Sequence, residues 1–452
     1  MDLAIEDLHP SLGDRALLSM NFLNEVAQHY PDAISLAAGR PYEEFYDVED
    51  LHSYLRTFTA HLAERGYDEA AIRRTLVQYG RTKGIIHELV AANLRLDEGI
   101  EVDPESIVVT VGCQEAMVLV LRALRAGPAD VLLAVAPAYV GLTGAARLVD
   151  LPVRFVAGGA EGVDIDDLIA QVKQARAAGL RPRACYVMPD FANPSGLSLD
   201  LEMRQRLLEI AAQEDLLLLE DNPYGLFPAA GHERLPTLKA LDTERRVVYL
   251  GSFAKTALPG ARVGYVVADQ RVTGAGLFAD ELSKIKSMLT VNTSAVAQAV
   301  VGGKLLENGC SLITANQRER EVYASNLQLL TDGLAAHFPD GEVSWNVPAG
   351  GFFVVVTVPF PVDDALLRRS AEQYGVLWTP MSHFYDGSAP VNALRLSCSA
   401  VSRDEITTGL ARLADLLRAE LKTAAVRAEL KAAAVRSELK AAAGAAEAPG
   451  QG

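Results

Sequence analysis

The sequence reads Val247-Val248-Tyr249-Leu250-Gly251-Ser252-Phe253-Ala254-Lys255, an apolar stretch that leads to a single lysine, and Pro259-Gly260-Ala261-Arg262-Val263-Gly264 follows at a short interval. A lysine just beyond an apolar strand is partly desolvated, which lowers the pKa of its amine and makes it a good nucleophile. Ser252 and Arg262 flank it as a hydroxyl and a guanidinium, the groups that bind a phosphate. A lysine taken alone is usually a solvated surface residue. The interpretation of Lys255 as a nucleophile beside a phosphate site therefore depends on the rest of the chain.

Composition limits the class of protein. The chain has 452 residues, of which 50% are hydrophobic, enough for two globular domains that share a large core. A net charge of -16 without a basic stripe argues against a nucleic-acid partner. The N-terminus lacks a basic, apolar leader and no apolar run reaches membrane length, so we expect no membrane association. Scattered cysteines predict reduced thiols in a cytoplasmic protein without a metal site, and these are Cys113, Cys185, Cys310 and Cys398.

Short, nearly continuous apolar runs alternate with amphipathic stretches from about residue 105 onward. Runs without polar alternation are typical of parallel strands that helices cover on both faces. We therefore predict an α/β fold whose large domain contains a mostly parallel, doubly wound sheet. The predicted strands are 107–111, 131–135, 184–188, 216–220, 247–251 and 263–268, and the predicted helices are 115–125, 164–178 and 201–214.

The pattern changes after residue 300. A long helical stretch is predicted up to about residue 335, and short alternating strands around 351–357 and 394–398 indicate a smaller α+β domain. The predicted organisation comprises an N-terminal arm with part of the small domain (1–48), a large domain (49–318), a small domain (319–418) and an alanine-rich tail (419–452).

The tail is a nine-residue repeat, in which 418–426 recurs as 427–435 and nearly again as 436–444. Nine residues correspond to about two and a half turns of an α-helix, so Leu421, Leu430 and Leu439 fall on alternating faces. The absence of one apolar stripe favours a solvated helix over an oligomerisation helix, and disorder is expected near Pro449.

In a doubly wound sheet the ligand lies beyond the carboxyl ends of the strands, so the residues that follow the apolar runs indicate the chemistry. Asp221 follows one run and is a candidate carboxylate for the ring nitrogen of pyridoxal phosphate (PLP), which must stay protonated to withdraw electrons. Tyr224 and Asn193 could donate to the phenolic oxygen of the same ring. Asp221 could instead cap a turn before Pro223, and Asn193 could belong to an ordinary Asn-Pro-Ser-Gly turn.

The remaining requirements of PLP also have candidates. Gly112-Cys113-Gln114 lies where a strand gives way to a helix, and helix amides bind phosphate. Tyr139 could stack on the ring or simply pack. Arg395 is a charge inside an apolar strand, where it could bind a substrate carboxylate or form a structural salt bridge.

In combination these motifs resemble those of fold type I PLP enzymes, specifically the class I/II aminotransferases of the aspartate aminotransferase superfamily. The resemblance covers roughly residues 30 to 415. It is carried, in order, by Tyr79-Gly80, Gly112-Cys113-Gln114, Asn193-Pro194-Ser195-Gly196, Asp221-Asn222-Pro223-Tyr224, Ser252-Phe253-Ala254-Lys255 and Arg262.

The resemblance implies a role for each residue at the cofactor ring. Lys255 bonds the cofactor covalently and moves protons, and Asp221 pairs with the ring nitrogen. Asn193 and Tyr224 hold the phenolic oxygen, and Tyr139 stacks on the ring. Lys255, Asp221 and Tyr224 are therefore the candidate catalytic residues.

The resemblance also implies the phosphate and substrate contacts. Tyr79 reaches the phosphate from a partner subunit, so a homodimer with shared active sites is expected. The other phosphate contacts come from one chain, namely Gly112, Cys113, Gln114, Ser252 and Arg262. An amino-acid substrate is expected to meet Arg395, Asn193, Gly39 and Arg40, with Arg395 taking its carboxylate.

Departures from the family pattern leave the reaction open. Ala136 stands where many relatives have an acid, Met381 follows Pro380 where glycine is usual, and Cys113 replaces a serine or threonine. Segments 19–26 and 39–42 are similar to those of (S)-3,5-dihydroxyphenylglycine transaminases of actinobacterial secondary metabolism. This resemblance implies a role in secondary metabolism such as antibiotic biosynthesis. The expected activity is amino transfer between an amino acid and a 2-oxo acid. The alternatives are a PLP-dependent eliminase, cyclase or carbon–carbon bond-forming enzyme, for example on S-adenosylmethionine, and an effector-sensing transcription regulator.

Overall fold

A seven-stranded sheet lies at the centre of the chain in the computed structural model, which describes residues 2–159, 162–385 and 391–446. Six of the strands share one direction, and one is antiparallel to both of its neighbours. From edge to edge the order is Ile107–Thr110, Gly264–Val267, Val247–Ser252, Leu217–Asp221, Arg181–Val187, Asp130–Val135 and Val153–Val156.

The prediction of a mostly parallel, doubly wound sheet is confirmed, with two differences. The reversed direction of Gly264–Val267 was not predicted, because a strand buried on both faces has the same apolar pattern in either direction. The edge strand Val153–Val156 was missed, since it is only partly buried and Arg154 interrupts its apolar residues.

Helices cover both faces of this sheet because each presents an apolar stripe to it. Gly112–Leu124, for example, buries Ala116, Leu119 and Val120, and each buried Leu or Val contributes about 1.5–3 kcal/mol. The helices of this part of the chain are Val48–Glu64, Glu69–Val77, His87–Asn93, Gly112–Leu124, Val140–Leu148, Ile165–Ala177, Leu201–Gln213, Leu238–Leu241, Phe278–Leu289, Ala295–Glu307 and Leu312–Ala315. The short strands Arg271–Val272 and Gly276–Leu277 form an antiparallel pair.

The predicted long helix over 300–335 is wrong in one respect, because the chain interrupts it. Ala295–Glu307 ends before Gly309 and Cys310, whose φ angles of 58° and 63° are incompatible with a continuous right-handed helix. A second break precedes Gln317–His337, which packs in another core.

A second, smaller core contains residues from both ends of the chain. Ile34–Ser35 pairs in parallel with Val376–Leu377, so the N-terminal arm joins this part of the structure. The fully buried Trp378 lies in this core and donates from Nε1 to Ser370 Oγ at 2.9 Å. The antiparallel sheet beside it has the order Ser344–Trp345, Phe353–Thr357, Ala393–Ser397 and Thr379–Pro380, and the helices around it are Arg15–His29, Gln317–His337, Asp364–Arg369 and Arg403–Ala446.

The C-terminal helix Arg403–Ala446 continues through the predicted tail boundary at residue 419. Leu421 and Ala424 still pack on the small core, and Glu420 pairs with Arg369. The packing of residues 420–424 was not predicted, because a repeat in the sequence does not show which copy remains in contact with a core. The disorder expected near Pro449 lies outside the described residues. Within the described part of the chain, no helix combines the length and apolarity needed to cross a membrane.

Candidate active site

A cleft of about 530 Å³ opens at the carboxyl ends of the parallel strands, where the large sheet meets the smaller core. Strand ends place polar side chains there because the chain leaves the buried sheet at those points. The predicted site residues that line the cleft are Gly39, Arg40, Cys113, Gln114, Tyr139, Asn193, Asp221, Tyr224, Ser252, Lys255, Arg262 and Arg395.

Lys255 lies in the turn after the strand Val247–Ser252 and extends into the cleft. Its Nζ donates to the carbonyl oxygen of Gly39 at 2.6 Å. Burial lowers the pKa of Lys255 to about 8, and the positive charges of Arg262 and Arg395 act in the same direction. A substantial fraction of the amine is therefore neutral, and nucleophilic, near neutral pH.

Asp221 ends the strand Leu217–Asp221 and is only 3% exposed. The hydroxyl of Tyr186 donates to its Oδ2 at 2.6 Å, and Cys113 Sγ lies 3.6 Å from its Oδ1. Burial raises the pKa of Asp221 to about 6, against the opposing effect of these two donors. Within the described residues no cationic side chain forms a salt bridge with this buried carboxylate, so the cleft can accept a cationic ligand group beside it.

The helix Gly112–Leu124 begins at the cleft without a side-chain cap, so its first amides are free to bind an anion. Arg262, in the left-handed conformation with φ of 51°, places its guanidinium over Gly112, where a Cβ would lie 2.7 Å from Nη2. A Cβ at Gly264 would lie 2.6 Å from the amide nitrogen of Cys113. Glycine at both positions thus allows the guanidinium and the helix amides to form one anion cradle.

Two tyrosines and an asparagine form another side of the cleft. Tyr224 and Asn193 both line this side, and burial raises the pKa of Tyr224, which keeps its hydroxyl protonated as a donor. Tyr139 also has a pKa raised by burial. Its ring needs a glycine at 141, where a Cβ would lie 2.3 Å from a ring carbon.

Arg395 is 6% exposed and projects from the strand Ala393–Ser397 between two aromatic rings. Its Cζ lies 4.2 Å from the ring centroid of Phe353 and 4.9 Å from that of Phe384. Nη2 donates to Ala37 O at 2.9 Å, Nη1 donates to Asn193 Oδ1, and Nε is buried without a partner. Burial lowers the pKa of Arg395 to about 10. No carboxylate pairs with it among the described residues, so the alternative of a structural salt bridge is not found there and an anionic ligand group can bind.

Two predicted residues do not line the cleft. Tyr79 is 83% exposed and lies away from it on this chain, and Gly112 lies behind Arg262. Tyr186, Phe353 and Phe384 are contacts of the site that the sequence analysis missed. Tyr186 had one usable signal, because it lies in the apolar run beside the Asp221 strand. The two phenylalanines had none, since their position depends on packing between the two cores.

These residues fit PLP. Asp221 is a buried carboxylate without a cation, which suits a protonated ring nitrogen, and Arg262 with the uncapped helix suits a phosphate. The amine of Lys255 has the depressed pKa needed to bond an aldehyde. The fold and this cleft together define a fold type I PLP enzyme.

The chain belongs to the family Aminotransferase class I and II, which it matches over residues 47–413. It is 58% identical over 422 residues to the (S)-3,5-dihydroxyphenylglycine transaminase of Amycolatopsis orientalis, an alignment that covers 93% of this chain and 96% of that protein. It is 31% identical over 393 residues, 86% of this chain and 89% of the other, to aromatic-amino-acid aminotransferase 1 of Thermococcus litoralis. The crystal structure of alpha-aminoadipate aminotransferase from Thermus thermophilus, complexed with N-(5'-phosphopyridoxyl)-L-leucine, is similar with a TM-score of 0.77 at 30% identity, and covers 92% of this chain and 99% of the other.

The resemblance stated from the motifs is therefore confirmed. The chain is a PLP-dependent aminotransferase, which moves an amino group between an amino acid and a 2-oxo acid. Of the three functions that the sequence left open, the family assignment supports amino transfer over the eliminase-type and regulatory alternatives.

Proposed function

We propose that this aminotransferase acts on an arylglycine or its 2-oxo acid, in the cytoplasm and in secondary metabolism. The observation that carries the substrate proposal is the 58% identity, over nearly the whole chain, to a (S)-3,5-dihydroxyphenylglycine transaminase. The lining of the cleft supports an aryl substrate, because one side of the cleft is apolar and an aryl group can pack there. The residues of this side are Phe353, Phe384 and Met20. The four cysteines are free thiols, which suits a reducing compartment.

The residues at the ring have separate tasks in this proposal. PLP, when bound, supplies an electron sink for the bond that breaks at the substrate Cα. Asp221 holds the proton on the ring nitrogen, and Tyr224 and Asn193 donate to the phenolic oxygen. Tyr139 covers one face of the ring. Lys255 would bond the cofactor, and its amine, with a pKa lowered to about 8, would serve as the general base and acid that moves a proton at the substrate Cα.

The phosphate is held in this proposal by charge and by amides. Arg262 provides a guanidinium fork, and the start of the helix Gly112–Leu124 provides the free amides of Cys113 and Gln114. The side-chain Nε2 of Gln114 donates to Gly141 O at 2.6 Å, so the main-chain amide of Gln114 is the group left to bind the phosphate. Ser252, at the end of the neighbouring strand, adds a hydroxyl.

Arg395 binds the substrate carboxylate in this proposal. A planar guanidinium already fixed by Asn193, Ala37 and the two aromatic rings can grip a carboxylate with two parallel hydrogen bonds. That grip would fix the orientation of the substrate Cα in the cleft. Arg40, exposed at the rim beside Gly39, is placed to meet a polar group at the far end of the substrate.

A homodimer completes the site in this proposal. Tyr79 is 83% exposed, and a Cβ at Gly80 would lie 3.5 Å from Asn292 Nδ2, so Tyr79 adjoins the segment around residue 292. That segment exposes the apolar side chains of Met288, at 86%, Leu289 and Val291. Contiguous exposed apolar residues indicate a protein interface.

We also propose domain boundaries for this chain, with a large domain at 49–318 and a small domain at 319–418.

The proposed substrate is tested by measuring kcat/KM for a panel of amino donors that includes (S)-3,5-dihydroxyphenylglycine, phenylglycine, phenylalanine, 2-aminoadipate and alanine. We expect the two arylglycines to exceed alanine by at least about 100-fold, as a buried aryl group supplies about 2.7 kcal/mol or more. Lys255→Ala is the matched control and should give no turnover with any donor. Equal rates for alanine and the arylglycines would refute the substrate proposal.

A further inference from the structure

Asp221, the carboxylate placed against the ring nitrogen, has a strong hydrogen-bond donor behind it. The hydroxyl of Tyr186 lies 2.6 Å from its Oδ2, and Tyr186 is 2% exposed. Neither the motifs nor the family match points to this tyrosine. We propose that Tyr186 is a positioning residue, which fixes the orientation of the Asp221 carboxylate toward the ring nitrogen of PLP. This inference rests on the role proposed above for Asp221.

The sheet register explains the contact. Tyr186 pairs with Leu219 on the adjacent parallel strand, and Asp221 follows Leu219 by two residues. Side chains two apart share one face of a strand, so Tyr186 and Asp221 project from the same face of the sheet. The hydroxyl therefore reaches the carboxylate from a strand of the central sheet that is paired with a neighbour on both sides.

The hydroxyl of Tyr186 stays protonated. Burial and the neighbouring charge of Asp221 raise the pKa of Tyr186, so it acts as a donor throughout the working pH range. A hydroxyl that donates to a carboxylate forms a short, charge-assisted hydrogen bond, which the observed distance matches.

The second donor to Asp221 is weaker. Cys113 Sγ lies 3.6 Å from Oδ1, and a thiol is a poor donor. Cys113 lies in the first turn of the helix Gly112–Leu124, and from there its thiol points at Oδ1, the oxygen that Tyr186 does not contact. With Tyr186 on one side and Cys113 on the other, the carboxylate has one orientation, and Tyr186 makes the stronger of the two contacts.

A buried tyrosine can also serve the core alone, so the test needs a matched control. Tyr249 lies on the strand that flanks Asp221 on the opposite side, is likewise 2% exposed, and stacks on Tyr265 with 6.3 Å between the ring centroids. Tyr186→Phe and Tyr249→Phe each remove one buried hydroxyl from the same sheet. Only the first should affect the cofactor.

The experiment compares wild type, Tyr186→Phe, Tyr249→Phe and Asp221→Ala, each loaded with PLP or with an analogue in which a CH group replaces the ring nitrogen. The measurements are the rate of the amino-donor half-reaction and the dissociation constant of each cofactor by equilibrium dialysis. With PLP, Tyr186→Phe should slow the half-reaction and weaken binding by about 10- to 100-fold, as expected for a lost hydrogen bond to a charged group. With the analogue it should match wild type within about twofold, because Asp221 then has no ring proton to hold.

Several outcomes would overturn the inference. One is an equal loss for Tyr186→Phe with both cofactors, which would indicate a general structural defect. Another is an unaffected Tyr186→Phe enzyme beside an impaired Asp221→Ala enzyme, which would leave the proposed function intact. Wild-type rates for Asp221→Ala with PLP would overturn the proposed role of Asp221 together with this inference.

Discussion

The amine of Lys255 donates a 2.6 Å hydrogen bond to the carbonyl oxygen of Gly39, a residue 216 positions earlier in the chain. The N-terminal arm therefore lies directly over the nucleophile. Gly39 is required for this approach, because a Cβ at this position would lie 2.3 Å from the ring of Phe353. The same phenylalanine stacks on Arg395, so one small residue allows the lysine, the arm and the arginine to meet.

The pH dependence of cofactor attachment follows from the pKa of Lys255. Only the neutral amine attacks an aldehyde, so the attachment rate should rise with pH and level off above a midpoint near 8, where burial and Arg262 place the pKa of the lysine. Stopped-flow absorbance of apo-protein mixed with PLP between pH 6.5 and 10.5 measures the midpoint. A midpoint close to that of a solvated lysine would contradict the burial of this amine.

Arg395→Lys should weaken the reaction of every amino-acid donor. An ammonium cannot reproduce the two parallel hydrogen bonds of a guanidinium, and kcat/KM should fall by about 100-fold or more. Steady-state kinetics with several donors measures the loss. As a control, an amine without a carboxylate should react equally slowly with wild type and variant. A loss confined to one donor would indicate that Arg395 contacts the side chain instead.

The sequence alone predicted most of the cleft because chemistry occurs at strand ends, and strand ends follow recognisable apolar runs. Asp221, Asn193 and Lys255 were found in this way. The packing partners Phe353 and Phe384 were not, since their contact with Arg395 depends on how the two cores meet. Strand direction was equally hidden, because Gly264–Val267 is as apolar as its parallel neighbours.

The proposed dimer predicts a distinct effect of Tyr79→Ala. If this side chain reaches the partner's phosphate, the variant should bind PLP about 10-fold more weakly and remain dimeric, as one hydrogen bond to a charged group is lost. Equilibrium dialysis and sedimentation velocity provide the two measurements. Val347→Ala, which alters another highly exposed side chain, serves as the control. An active wild-type monomer would refute the shared site.

The C-terminal helix offers a stability test with two truncations. A chain that ends at Val426 keeps the packed residues Leu421 and Ala424 and the pair between Glu420 and Arg369, so its free energy of unfolding should be unchanged. A chain that ends at Arg418 loses them and should be destabilised by about 1–3 kcal/mol, mostly from the lost apolar burial. Denaturant titrations distinguish the two. Equal stability would show that residues 419–426 contribute nothing to the small core.

Amino transfer at Lys255 can be observed in a single half-reaction. The holoenzyme is mixed with an arylglycine donor in the absence of any 2-oxo acid, and the visible absorbance and the cofactor content are followed together. Because amino transfer stops when the cofactor has received the amino group, we expect the yellow band to bleach and one equivalent of pyridoxamine phosphate to form per site, with the colour restored by a 2-oxo acid. Many turnovers without an acceptor, with the cofactor remaining as pyridoxal phosphate, would show that the enzyme does not catalyse amino transfer.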